Sequence, residues 1–259
     1  MTAPLRPRQS GFSVIGALGE LLLTAGVVVL LFLAWQLWWN DAILAQSQSS
    51  AAADVSSEWM AAATPTPGTA SETPTPAGPG PVDYGQPITL ESVPAEGTAF
   101  GIMYVPRFGQ NTQRQIAQGV GTDVLNSTRL GVGHYMDSAL PGEPGNFAIA
   151  AHRSAYGGGM HLINELQVGD PIYIQTKDGW YTYRFRNFEY VRASAVAVVS
   201  AVPQNRGTDT GQRLITLTTC NPLYSTSERI VAYGVFDTWQ PNSAGPPAEI
   251  AADVAGWKK

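Results

Sequence analysis

Cysteine is nearly absent from this sequence of 259 residues, with Cys220 the single example. One cysteine excludes an intramolecular disulfide, a four-cysteine zinc site and an iron–sulfur cluster. Histidine is also scarce, with only His134, His152 and His161, so a histidine-rich metal site is not expected. Charged residues make up 14% of the chain and the net charge is −5, which argues against a protein that binds nucleic acid through a basic face. A lone cysteine indicates either a small buried side chain or a reactive nucleophile.

A long apolar run lies near the N-terminus. Residues 21–39 read LLLTAGVVVLLFLAWQLWW and contain no charge, and a helix of this length covers most of a hydrocarbon core of about 30 Å. Arg6 and Arg8 precede the run, and the next basic residue is Arg107. The positive-inside rule therefore predicts a transmembrane helix at 21–39, a cytoplasmic segment at 1–20 and an extracellular remainder. The alternative is a cleaved signal peptide, whose apolar region would be shorter and followed by a small-x-small cleavage site.

A segment of small and polar residues follows the apolar run. Between residues 46 and 82, 28 of the 37 residues are Ala, Ser, Thr, Pro or Gly, and the tetrapeptide TPTP occurs twice. Such a composition buries too little apolar surface to offset the entropy lost on ordering, and alternating Thr-Pro favours extended polyproline II. We therefore expect 40–96 to be a disordered extracellular linker. Residues 238–259 are predicted to form a C-terminal tail without regular structure.

The region 97–237 has the pattern of one compact β domain. Short segments rich in Val, Ile, Tyr, Phe and Thr recur between Gly, Pro, Asn and Asp, which predicts an all-β sandwich or barrel. Two short helices are predicted at Asp123–Leu130 and Met160–Leu166. The predicted strands are Ala99–Pro106, Ile116–Val120, Phe147–His152, Ile172–Thr176, Tyr181–Tyr190, Ala195–Val199, Arg213–Cys220 and Ile230–Phe236.

Three of these strands carry a reactive side chain at one end. His152 follows the apolar strand NFAIAA, Cys220 ends the strand RLITLTTC, and Arg229 opens the strand after it. If these strands lie side by side, one cleft holds a thiol nucleophile, a histidine that moves its proton and a cation that stabilises a negative oxygen. The period of two places Thr218 on the same face as Cys220, and Ala150 on the same face as His152.

Each of these residues also has a structural interpretation. A single cysteine at a strand end is by default a buried filler. His152 could simply terminate its strand, and Arg229 could pair with Glu228 or Glu143 on the surface. His134 competes for the histidine role, but it lies in the turn-like sequence Gly-Val-Gly-His rather than after an apolar strand.

The same residues carry a resemblance to the sortase family. The signature of that family is a strand ending in T-L-x-T-C, a histidine after an earlier apolar strand, and an arginine at the start of the following strand. Here these are Thr216–Cys220, His152 and Arg229. The stretches LGVGHYMDSALPGEPGNFAIAAHR and TLTTCNP are similar to class E sortases of high-GC Gram-positive bacteria. The resemblance covers 97–237 and implies an eight-stranded β-barrel.

The resemblance also implies a reaction. Sortases cleave a sorting signal between Thr and Gly, hold the acyl group as a thioester and pass it to an amine of the cell-wall precursor. By resemblance, Cys220 is the nucleophile, His152 the general acid and base, and Arg229 the group that stabilises the substrate carbonyl. The implied partners are secreted proteins that carry a sorting signal, together with the precursor amine. No cofactor, no metal ion and no nucleic acid are expected.

Substrate recognition is predicted at three further positions. Class E sortases are thought to prefer Leu-Ala-x-Thr-Gly to Leu-Pro-x-Thr-Gly, and the tyrosine that matters to this preference would be Tyr135. Thr218 and Thr219, which belong to the cysteine motif, are predicted to contact the substrate.

Two other functions remain open on the sequence alone. Another extracellular cysteine peptidase would usually place its cysteine before its histidine, at a helix N-terminus that lowers the pKa of the thiol. A non-enzymatic β domain on a stalk, binding wall polymer or a partner protein, would have Cys220 buried and inert.

Overall fold

The structure is a computed structural model that describes residues 13–35, 39–63, 82–205 and 211–257. Parts of five predicted regions lie outside these residues: most of the cytoplasmic segment, residues 36–38 of the transmembrane helix, the Thr-Pro repeats of the linker, residues 206–210 of the catalytic region and the two lysines that end the tail. The chain divides into two compact units, Met1–Asp41 and Ala42–Lys259.

The first unit contains helix α1 (Val14–Ala34). Its first turn is capped by Ser13, whose Oγ accepts a hydrogen bond from the backbone N–H of Gly16 at 3.2 Å. None of its residues is buried, and its 21 residues are long and apolar enough to cross a membrane. The helix begins seven residues before the predicted 21–39 because the preceding VIGALGE is itself mostly apolar.

The second unit is built on a closed barrel of eight strands. The strands are β1 (Ala99–Tyr104), β2 (Arg114–Gln118), β3 (Gly131–His134), β4 (Gly145–Ala151), β5 (Pro171–Gln175), β6 (Gly179–Arg192), β7 (Arg213–Asn221) and β8 (Glu228–Pro241). They close in the order β1-β2-β3-β4-β7-β8-β6-β5. The pairs β2–β3 and β4–β7 are parallel, and the others are antiparallel. The predicted eight-stranded barrel is confirmed.

Along the strands, alternate side chains point into the barrel, and the side chains between them lie on its outer surface. Ile215 and Leu217 of β7 pack in the core with Phe147 and Ile149 of β4. Because side chains alternate along a strand, the residues between them lie on the outer face of the barrel. From Ala148 and Thr216 onwards, that face of β4 and β7 carries small and polar side chains, whereas Leu214 lies on it at the start of β7.

Strand β3 was not among the predicted strands, because Gly131-Val132-Gly133-His134 has the composition of a turn. The structure gives a physical reason for Gly133: a Cβ at this position would overlap the carbonyl oxygen of Gly119. The sequence therefore contains glycine here because two backbones approach closely.

Three short predicted elements differ from those observed. The predicted strand Ala195–Val199 is instead a 3-10 turn at Val196–Val199, whose Val198 packs on the outside of β8. The two predicted helices are shorter than expected: the first is α3 (Thr122–Leu125) and the second is a 3-10 turn at Ile163–Glu165.

The predicted linker is wrong over its first part, where the structure has helix α2 (Asn40–Ala62). The buried residues of α2 are small or polar and follow helical spacing: Gln48, Ser49, Ala51, Ala52, Ala53 and Ser56. The composition averaged over 46–82 concealed this helix, because it combined a proline-free stretch with a proline-rich one. Every proline of the segment 40–81 lies at 65 or beyond. Alanine is the strongest helix former, and no apolar stripe was present to reveal the helix.

The predicted tail is also wrong. Strand β8 continues to Pro241, and the chain then forms helix α4 (Ala251–Gly256). Trp257 follows α4 and is buried, with its ring 5.1 Å from the ring of Tyr104 and 6.3 Å from that of Trp180. The catalytic region predicted at 97–237 therefore extends at its C-terminal end by these packed residues.

Candidate active site

The strand register brings Cys220, His152 and Arg229 into one row on the outer face of the barrel. Cys220, the penultimate residue of β7, pairs directly with Arg229 of β8. Ala150 of β4 pairs with Thr218 of β7, and two residues further along lie His152 and Cys220. Neighbouring strands are about 4.8 Å apart, so the three side chains stand side by side. Each is partly accessible to solvent.

Below this row, the outer face forms a shallow floor of small side chains. The register places Ala148 beside Thr216 and Ala150 beside Thr218. At the far end, Asn146 Nδ2 donates to the carbonyl oxygen of Ser200 at 3.1 Å, and Asn146 Oδ1 accepts from the Thr216 hydroxyl at 2.8 Å. This pair of bonds ties the connection between β6 and β7 to the barrel and closes one end of the groove.

Hydrogen bonds between neighbouring residues hold the ends of the three strands together. Thr219, before Cys220, donates its hydroxyl to the carbonyl oxygen of Ala151, before His152, at 2.7 Å. On the other side of the row, Asn221 Oδ1 accepts from the guanidinium of Arg153, and Asn221 Nδ2 donates to Glu228 at 3.1 Å. The backbone on both sides of His152 and Cys220 is therefore held by direct side-chain bonds.

His152 has a defined environment on the side away from the strands. Its Nε2 bonds to Oδ1 of Asn126 at 2.8 Å, and because this oxygen only accepts, Nε2 carries the proton. The ring also lies against Tyr156, with centroids 5.0 Å apart. Both contacts restrict the orientation of the imidazole.

Tyr135, just after β3, reaches across the groove floor. Its hydroxyl lies 2.9 Å from Oγ1 of Thr218, and Thr218 Oγ1 in turn donates to the carbonyl oxygen of Ile149 at 3.3 Å. The threonine has one hydroxyl proton, so Tyr135 is the donor of the pair. The lone pairs of the tyrosine oxygen then remain to accept a hydrogen bond from a ligand.

Comparison with known proteins decides the family. Residues 103–237 match the model of the sortase domain. Sortase SrtE1 of Streptomyces coelicolor is 30% identical over 95% of this chain and 64% of its own length, so the chain spans less than two thirds of that relative. Sortase SrtE2 of the same organism is 32% identical over 88% of this chain and 84% of its own length.

The chain belongs to the sortase family. The crystal structure of sortase E1 from S. coelicolor with a tripeptide in the active site superposes with a TM-score of 0.55 at 32% identity, covering 60% of this chain and 99% of that one. Sortases are cysteine transpeptidases, and the relatives named here belong to class E.

In this sortase the guanidinium of Arg229 bonds to its own turn. Its Nη1 donates to the carbonyl oxygens of Thr226 at 3.1 Å and Glu228 at 2.9 Å. Both Nη1 protons are used in this way, while Nε–H and Nη2 make no hydrogen bond to the described residues. The planar fork thus keeps three donors for a substrate oxygen.

His134, the competing histidine, is a core residue of this sortase. Its Nδ1 lies 2.7 Å from Gln118 Oε1, and its Nε2 lies 2.8 Å from the Ser138 hydroxyl and 3.0 Å from the carbonyl oxygen of Ala139. The ring stacks on Phe147 with centroids 5.1 Å apart. Burial lowers its pKa to about 4, because a low-dielectric environment disfavours the imidazolium.

Thr219 lies on the opposite face of β7 from Thr218 and Cys220. Its buried hydroxyl bonds to the end of β4, so its side chain faces away from the groove where substrate contact was predicted. Sequence reasoning also missed Asn126, Arg153 and Asn221. The last two had a local signal, since each is a polar residue directly after a strand that ends in a reactive side chain.

A cavity of about 740 Å³ lies away from the row of Cys220, His152 and Arg229. Three of its charged side chains pair with one another, since Arg184 binds Asp237 at 2.8 Å and Glu249 at 3.0 Å, and Tyr173 donates to Glu249 at 2.6 Å. No group of three or more Asp, Glu, His and Cys with the geometry of a metal site occurs in the part of the chain that the structure describes.

Proposed function

We propose that this sortase cleaves a Leu-Ala-x-Thr-Gly sorting signal between Thr and Gly and transfers the protein to an amine of the cell-wall precursor. The observation that supports this most directly is the row of Cys220, His152 and Arg229 along one accessible groove. A buried and inert cysteine, as a binding domain would have, does not fit its partial exposure at the groove.

The reaction follows from the positions of these side chains. His152 takes the proton of the Cys220 thiol, and the sulfur attacks the carbonyl carbon of the substrate threonine. The peptide C–N bond then breaks, and His152 returns the proton to the nitrogen of the departing glycine. An acceptor amine then attacks the thioester carbon and loses a proton to His152. The C–S bond breaks, and His152 returns that proton to the sulfur of Cys220.

Arg229 would stabilise the negative oxygen that develops at the threonine carbonyl. A guanidinium stays protonated at any physiological pH and presents donors in one plane. Its Nη1 is held by two carbonyl oxygens of the same turn, which orients the fork before substrate arrives. Such preorganised donors contribute more than donors that must reorient during the reaction.

Tyr135 would provide the preference for alanine over proline in the sorting signal. Alanine has a backbone N–H and proline has none. Because the Tyr135 hydroxyl donates to Thr218, its oxygen can accept that N–H from an alanine peptide. A proline peptide would leave this acceptor unpaired, and sites built around a hydrogen bond discriminate strongly against ligands that lack it.

Helix α1 would anchor the enzyme in the cell membrane with its N-terminus inside. The support is its length and apolar surface together with the arginines at positions 6 and 8, which precede it. In this orientation the catalytic unit faces the cell wall, where sorting signals and precursor amines are both present.

Mass spectrometry of the full chain in detergent tests the proposal. The protein is incubated with a Leu-Ala-x-Thr-Gly peptide and an excess of a small amine. We expect the peptide to be cut after threonine and the amine to appear on the new carboxyl end. Recovery of intact peptide, or a cut at another bond, would overturn the proposal.

A further inference from the structure

Gln48 of helix α2 is a buried polar residue that the reaction does not use. Its side chain has 0% exposure. Its Nε2 donates to the carbonyl oxygen of Ser127 at 2.8 Å and to that of Tyr156 at 3.0 Å. One amide group therefore joins two loops that are far apart in sequence.

Two glycines leave room for this amide. A Cβ on Gly131 would lie 2.9 Å from Gln48 Oε1, and a Cβ on Gly157 would lie closer still. Both glycines have a positive φ, 106° and 85°, so another residue would be strained at either position. The catalytic unit thus contains a slot that fits the side chain of Gln48.

The two loops that Gln48 joins are those that contact His152. Ser127 directly follows Asn126, whose Oδ1 accepts from His152 Nε2 at 2.8 Å. Tyr156 places its ring against the imidazole. One bond from Gln48 therefore holds the segment that contains Asn126, the hydrogen-bond partner of His152. The other bond holds Tyr156, whose ring packs against His152.

The bond from Gln48 to the carbonyl oxygen of Tyr156 holds an unusual backbone conformation. The φ of this tyrosine is 50°, in the left-handed region that a bulky residue adopts only when the surrounding contacts hold it there. The bond from Gln48 to its carbonyl oxygen is a contact of that kind. A second link from α2 to the barrel, Gln113 Nε2 to the carbonyl oxygen of Ser49 at 3.0 Å, fixes the helix beside it.

We propose that Gln48 is a positioning residue for His152, so that one side chain of α2 supports the active site from outside the groove. By holding the carbonyl oxygens of Ser127 and Tyr156, it keeps Asn126 and the Tyr156 ring on two sides of the imidazole. The role in turnover rests on the proposed transpeptidase function, while the effect on the ring of His152 does not depend on any substrate.

The test compares variants of the full chain in detergent. Gln48→Met keeps the volume of the side chain and removes both donors, and Gln48→Ala removes the side chain. Gln46→Ala is the matched control, since Gln46 is a glutamine of the same helix that faces solvent. Rates are divided by the folded fraction from near-UV circular dichroism, so that a loss of folded protein is not counted as a loss of catalysis.

We expect kcat for the sorting-signal peptide to fall about 10–100-fold in both Gln48 variants, because small misplacements of a reacting group can cost about 100-fold. KM should change little, since Gln48 lies outside the groove, and Gln46→Ala should match wild type. Wild-type kcat in Gln48→Met, or an equal loss in Gln46→Ala, would overturn the proposal.

A measurement without substrate separates this inference from the proposed function. With ¹³C-labelled histidine, the three ring signals are resolved by NMR, and that of His152 is assigned from its loss in His152→Ala. We expect the His152 signal to shift and broaden in Gln48→Met and to stay unchanged in Gln46→Ala. An unchanged signal in Gln48→Met refutes the positioning role, whereas absent turnover in wild type refutes only the sorting-signal assignment.

Discussion

His134 and His152 lie near neighbouring strands and have opposite environments. His134 ends β3 inside the protein, where both ring nitrogens bind protein groups and the ring stacks on Phe147. His152 follows β4 at the accessible groove, beside Cys220 in the register of the sheet. Surroundings that exclude water keep the first imidazole neutral, while the second lies where a ligand in the groove can reach it. The difference separates a structural histidine from a candidate catalytic one.

The proposed reaction in the groove depends first on Cys220. We expect Cys220→Ala to abolish both cleavage and amine transfer, because no other nucleophile stands in the row. Cys220→Ser should be nearly as inactive, since a serine hydroxyl is far less ionised at neutral pH. The measurement is peptide turnover by mass spectrometry with the full chain, and substantial turnover in Cys220→Ala would contradict the mechanism.

The two histidines can be compared directly. His152→Ala should reduce kcat by about 10²–10⁴-fold, the usual contribution of a positioned proton-transfer group. His134→Gln should retain most of the rate per folded molecule, because its ring binds only core groups. Steady-state kinetics of both variants measure the two effects. A larger loss of kcat in His134→Gln than in His152→Ala would make His134 the histidine that transfers protons.

Arg229 tests whether the groove needs a fork of donors or only a positive charge. Arg229→Lys should lower kcat by about 10²-fold, since lysine keeps the charge but loses the planar donors. Arg107→Lys is a control, because Arg107 is an exposed arginine whose guanidinium binds Asp170 through two bonds. Equal rates for Arg229→Lys and wild type would mean that charge alone is enough.

Substitution of Tyr135 should change the preference between the alanine and proline peptides more than it changes the rate of cleavage. Wild type is expected to favour the alanine peptide over the proline peptide in kcat/KM, and Tyr135→Phe should narrow the ratio by about tenfold for the loss of one hydrogen bond. Tyr135→Ala should narrow it at least as much while some cleavage remains. A ratio that is unchanged in both variants would remove Tyr135 from the specificity site.

The buried histidine should affect stability rather than catalysis. The pKa of His134 is about 4 in the folded protein against 6.5 for an ordinary histidine. Between these values the unfolded chain binds a proton that the folded chain does not, so stability falls as the pH drops from 6.5 towards 4. The loss attributable to this group is about 3 kcal/mol. Urea unfolding at several pH values should show a shallower slope in His134→Gln than in wild type.

Segments rich in Val, Ile, Tyr, Phe and Thr predicted an all-β sandwich or barrel, and the resemblance to sortases implied the eight-stranded barrel. Cys220, His152 and Arg229 could be singled out because each stands at an end of such a segment. Asn126 gave no such signal, because it is 26 residues from His152 in a loop, and only the closed barrel brings it near. Helix α2 was missed because small and polar side chains form its buried face. The partners of Gln48 are backbone carbonyl oxygens and glycines, which no hydrophobic pattern reveals.

The docking of α2 means that this helix acts as a tethered ligand of its own enzyme. The chain joins α2 covalently to the barrel, and its residues from Val82 onwards contact the barrel: Tyr181 donates to the carbonyl oxygen of Ile88, and Trp239 Nε1 donates to that of Gly85. The covalent link keeps the helix at a high local concentration beside its slot. A barrel without α2 would correspond to an unliganded enzyme. If α2 were supplied as a separate peptide, it would have to bind at its own affinity, because it would lack the local concentration that the covalent link provides.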